Sequence, residues 1–162
     1  MSSWWMTQLW PISFLLIAVV DDLLFRKFHN WLFITLTLVG VFYVFTFSPI
    51  HWSLALGGFW VGGLLMLPLV LVKAIGAGDM KFMMAFGLLL GVQPIFWVFV
   101  YALIWGAVLG LLQSLLSGQF KLLIWKMASL FQKMKPHSTH KIPYTVAILF
   151  GWLTWLQAGG LL

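Results

Sequence analysis

Apolar runs of about 20 residues recur along this chain, and no other feature restricts its fold as strongly. A run of that length crosses the hydrocarbon core of a bilayer as a helix. There every backbone N–H and C=O must find its partner inside the segment. A soluble domain would need a polar surface, which a chain with 63% hydrophobic and 7% charged residues cannot supply. The expected fold class is an all-α integral membrane protein with about six transmembrane helices. The spans read as residues 4–24, 29–47, 53–72, 80–90, 95–116 and from 142 to the C-terminus. Turns are expected at Ser48-Pro49 and at Gly91-Val92-Gln93-Pro94.

The first run lacks a basic n-region and a small-residue cleavage site, so it reads as a retained helix and not a signal peptide. The fourth run is short. It is expected to begin inside the protein, where non-helical backbone can line a wet cavity, with residues 76–79 slightly below the membrane surface.

Arg26 and Lys27 follow the first span, Lys73 and Lys81 flank the loop after the third, and Lys121, Lys126, Lys133, Lys135 and Lys141 lie between the fifth and sixth. Six spans put all nine basic residues on one side, which the positive-inside rule makes cytoplasmic, with both termini outside. The net charge of +6 therefore signals topology, and no nucleic-acid partner is expected. Residues 120–134 carry apolar positions at helical spacing with Lys121, Lys126 and Lys133 among them. That pattern suits an amphipathic interfacial helix on the cytoplasmic side, held by anionic lipid. No composition shift marks a second domain, so residues 1–162 read as a single membrane domain.

The chain has three acidic residues, Asp21, Asp22 and Asp79, and no glutamate. An ionisable group in an apolar setting is costly, so each is a functional candidate. The topology brings all three to one depth. Two carboxylates close together cannot both ionise easily, so one holds a proton while the other acts as base. Such a pair can activate water and protonate a leaving amine. On a helix Asp21 and Asp22 point about 100° apart, so one of them meets Asp79. The plain alternative is that both are interfacial residues pairing with Arg26 or Lys27.

Gly76-Ala77-Gly78-Asp79 has a sharper context. Two glycines beside a carboxylate permit unusual dihedrals and let a substrate backbone approach closely. An extended peptide could then be held by main-chain bonds beside the acid. The alternative is a flexible turn between helices.

With these residues the chain resembles the GxGD membrane aspartyl proteases, and within them the type IV prepilin peptidases of the small stand-alone kind found with tight-adherence (Flp) pili. Asp22-Leu23-Leu24-Phe25-Arg26-Lys27-Phe28-His29-Asn30 is similar to that family's first aspartate, basic cluster and Ile-Pro-Asn-like triplet. The Asp-to-Asn spacing selects Asp22 and leaves Asp21 a bystander. Gly76-Ala77-Gly78-Asp79-Met80-Lys81 matches the second motif. Lys141-Ile142-Pro143-Tyr144-Thr145-Val146-Ala147-Ile148 resembles the Pro-Tyr-x-x-Ala-Ile segment that opens the last helix. His29 stands where the family has Pro, and Phe28 where it has Ile.

The resemblance implies an aspartic endopeptidase of the bacterial inner membrane. It would remove the short basic leader of a prepilin or pseudopilin at the cytoplasmic face, within the lipid bilayer. Asp22 and Asp79 would be catalytic, with Gly76, Gly78, Lys81, Asn30 and Arg26 binding substrate or supporting the site. No cofactor or metal is implied. The larger members carry a cysteine-rich segment and also methylate the new N-terminus. This chain has no cysteine and is expected only to cleave. The rival class is a small transporter or proton-relay subunit using the same aspartates. A non-catalytic assembly factor that retains the fold is a third reading.

Other candidates are weaker. His137 and His140 lack an acidic or cysteine neighbour to complete a metal site, and His29 and His51 stand alone. Most of the eleven tryptophans cluster near span ends, as aromatic belts do. Gly57-Gly58 and Gly62-Gly63 read as sites of close helix packing.

Overall fold

The computed structural model describes residues 2–25, 29–48, 50–116 and 144–159, with six helices and no strand among them. In chain order these are α1 (Ser2–Phe25), α2 (Asn30–Thr46), α3 (Trp52–Leu71), α4 (Ala77–Leu90), α5 (Val92–Leu116) and α6 (Tyr144–Gln157). The helix expected over residues 120–134 lies outside the described residues, as does Arg26.

Two stretches, Trp52–Leu71 and Val92–Gln113, are long and apolar enough to cross a bilayer. α2 is apolar but has 17 residues, and α4 and α6 have 14 each. At 1.5 Å per residue a 14-residue helix spans about 21 Å, short of the ~30 Å hydrocarbon core. Length and composition therefore support two spans, against the six expected.

Two boundaries differ from expectation for local reasons. α4 begins at Ala77, three residues ahead of the expected 80, because Gly76 serves as its N-cap and Asp79 reaches back to that turn. α5 begins at Val92, because a single residue suffices to separate it from α4. Gly91 takes φ +82, a left-handed value that suits glycine, and its N–H donates to Gly87 O at 2.8 Å. Pro94 then falls in the first turn of α5, where a missing N–H breaks no helical bond.

α4 is the central element and touches α1, α2, α3 and α5. Phe82, Met83, Ala85 and Phe86 are fully enclosed, and Phe86 meets Trp152 of α6 edge-on. Apolar side chains point outward as well, with Leu38 at 65%, Phe45 at 73% and Leu64 at 64% exposure. Small residues make the closest contacts. A Cβ placed on Gly58 of α3 would lie 2.1 Å from Gly87 O of α4, and one on Gly62 would lie 2.5 Å from Met83 O. The two backbones therefore touch along this seam, the packing expected of the paired glycines. Between apolar helices in lipid such contacts carry association, because moving a side chain from lipid to protein gains little.

Candidate active site

α1 ends in two adjacent carboxylates that the helix turns in different directions. Asp21 is 8% exposed, and His29 Nδ1 donates to its Oδ1 across 3.2 Å. His29 is the N-cap residue of α2, with extended backbone. Asp21 is thus a buried, paired group that ties the end of α1 to the start of α2, and more than an interfacial bystander. Asp22, half-buried, accepts at Oδ2 a 2.7 Å hydrogen bond from Thr145 Oγ1. Thr145 is the second residue of α6 and is 1% exposed.

Asp79 is built differently. It sits in the first turn of α4, where the helix dipole favours negative charge. Its Oδ2 accepts the Gly76 N–H at 3.1 Å, satisfying a donor at the helix start. Gly76 has φ −76, and neither it nor Gly78 takes a left-handed conformation, so the unusual dihedrals expected here are absent. What Gly76 supplies is room: a Cβ there would lie 3.2 Å from Asp79 Oδ2.

The approach to this turn is strained one step earlier. α3 closes with Lys73 N–H donating to Val70 O and Ala74 N–H to Leu69 O, a Schellman arrangement with Lys73 at φ +58. Lys81, one turn into α4, donates from Nζ to Asn30 Oδ1 at 2.6 Å and so fastens α4 to the start of α2.

Tyr144 and Thr145 open α6 beside both aspartates. Thr145 holds Asp22, and the Asp79 carboxylate lies within electrostatic range of the Tyr144 phenol. The Tyr144 ring packs over Gly106 of α5, where a Cβ would be 3.1 Å from its Cε2. Its hydroxyl is buried and has no hydrogen-bond partner.

Of the residues singled out from sequence, Asp22 and Asp79 thus gather at one end of the bundle, around the start of α6. Asn30 and Lys81 meet directly. Gly76 and Gly78 flank the Asp79 turn. Sequence reasoning gave no role to Thr145, Tyr144 or His29. Thr145 and His29 reach carboxylates of other segments, and only the tertiary fold brings them there.

Chemically, two carboxylates at one site can supply a base and an acid, provided one retains a proton. Among the described residues no three His, Cys, Asp or Glu side chains cluster closely enough to hold a metal ion. A cavity of about 490 Å³ lined by Gln93, Trp97, Tyr101 and Trp155 lies between the start of α5 and the end of α6, at the far end of the bundle from the aspartates. It plays no part in the site described here.

A sequence model of the type IV leader peptidase family matches residues 9–111. The match takes in Asp22 and Asp79 and ends before α6. No curated protein and no solved structure matches the chain significantly.

Proposed function

The chain belongs to the type IV leader peptidase family, and from that premise we propose that it is a membrane aspartyl endopeptidase using Asp22 and Asp79. Its substrate is the precursor of a type IV pilin, of the Flp or pseudopilin kind. It removes the short basic leader at the cytoplasmic face of the bacterial inner membrane. In this reading residues 1–162 form one domain whose helices cross the membrane six times, with the nine basic residues on the cytoplasmic side. The observation that carries the reading is the Thr145–Asp22 hydrogen bond, formed next to a tyrosine within range of Asp79.

The reaction needs one proton shared by the two carboxylates. The ionised member takes a proton from water as the water oxygen adds to the scissile carbonyl carbon. The protonated member then gives its proton to the amide nitrogen as the C–N bond breaks. The leader leaves with a new carboxyl group and the pilin with a new amino terminus. The pair again holds one proton, with the roles exchanged. Gly76, without a Cβ, leaves space for an extended substrate backbone beside Asp79.

Co-expression with a prepilin tests this directly, with leader removal followed on a gel. Asp22→Asn and Asp79→Asn, made singly, should each stop cleavage, while Asp21→Asn should still cleave. Normal processing by either of the first two variants would remove the pair. A proton-relay subunit would instead show altered ion flux with pilin maturation intact.

A further inference from the structure

α6 opens with two polar side chains that the reaction above does not use. Thr145 is enclosed, and its hydroxyl donates to Asp22 over a sequence separation of 123 residues. A charge-assisted bond of this kind fixes which way a carboxylate faces. Tyr144 is its neighbour, and adjacent helical residues point about 100° apart, so one helix start can address two groups on different helices. The Tyr144 ring is seated on Gly106, while its hydroxyl is buried without a partner in a region reached by the Asp79 charge. Folded chains ordinarily pair such a group, and an orphaned donor beside an acid calls for a reason.

We propose that Tyr144 and Thr145 are positioning residues for the aspartate pair: Thr145 orients Asp22 through its hydroxyl, and Tyr144 holds a donor ready for Asp79 when substrate occupies the site. The idea rests on Asp22 and Asp79 being the catalytic pair. It assigns the last helix the task of setting the two carboxylates relative to each other, a task outside the region that matches the family.

The test measures kcat and KM for leader removal by the purified full chain in liposomes, with thermal unfolding of each variant alongside. Thr145→Val should lower kcat about tenfold or more, with Thr145→Ser recovering most of it. Tyr144→Phe removes only the orphaned oxygen, so it should unfold no earlier than the parent while losing about tenfold in kcat. KM should stay within about twofold in both, because neither group is assigned to the leader. A stable enzyme that has slowed is a result that a purely structural tyrosine would not give. If Thr145→Val does not fold, Thr145→Ser and Tyr144→Phe decide the matter. Parental kcat in Tyr144→Phe and in a folded threonine variant lacking the hydroxyl, with Asp22→Asn inactive, overturns the positioning role and leaves the protease standing. Cleavage that survives Asp22→Asn or Asp79→Asn overturns the catalytic pair and this inference with it.

Discussion

Asp79 and Asp22 are held in opposite ways. Asp79 is fixed by its own turn, through a bond to Gly76 three residues away. Asp22 is fixed by Thr145, 123 residues along the chain. The first arrangement survives as long as α4 starts where it does. The second exists only when α1 and α6 are both seated in the bundle. One carboxylate is thus set by local backbone and the other by assembly of the whole fold, so the site is complete only in the assembled protein.

Neutralising either carboxylate should have the largest effect. Asp22→Asn and Asp79→Asn should each slow leader removal by about a thousandfold or more, measured by single-turnover cleavage. Their alanine variants should separate the two arrangements in thermal unfolding. Asp79→Ala loses a helix cap, about 1 kcal/mol. Asp22→Ala strands a buried threonine hydroxyl and should cost more, about 2 kcal/mol. Equal losses would erase the contrast.

Next comes the seam that carries α4. Gly58→Ala drives a Cβ to 2.1 Å from Gly87 O, so α3 and α4 must part. A loss of about 3 kcal/mol is expected, with cleavage reduced because the Asp79 turn moves with α4. Gly110→Ala, with no atom within 4 Å of the new Cβ, is the control and should unfold like the parent.

His29→Ala should act on stability alone. It removes the partner of a buried carboxylate and should cost about 1–2 kcal/mol, while the purified variant still cleaves. Loss of kcat at parental stability would draw Asp21 into the chemistry. The smallest effect is a gain. Lys73→Gly relieves the left-handed residue before the Asp79 turn and should raise stability by about 1 kcal/mol in denaturant unfolding.

The same contrast explains what could be read without coordinates. Asp79 and its glycines stand together in the sequence, and its environment is local, so the site could be named from six consecutive residues. The start of α4 was missed by three residues because Gly76 and Ala77 look like loop until Asp79 is recognised as the cap. Asp22 could be chosen over Asp21 only by its spacing to Asn30. Its hydrogen bond to Thr145 has no signature in the chain, since nothing within 100 residues of either signals the other. Asp21 was misjudged for a related reason. Its partner His29 replaces a family proline, and a substitution of that kind reads as a departure until the ring is seen on the carboxylate. The glycine seam was legible because close helix approach leaves its mark in composition.

The one-residue joint at Gly91 has a mechanical consequence. It sits twelve residues from Asp79, so α4 acts as a lever arm of about 18 Å with its pivot at the opposite end of the bundle. A rotation of about 3° at that pivot would carry the carboxylate roughly 1 Å sideways, and an error of that size at a reacting group can cost on the order of a hundredfold in rate. The arm is braced along its length where Gly87 lies against Gly58 and Met83 against Gly62. Those glycines do more than let two helices approach: they damp a hinge whose smallest swing would be amplified at the acid.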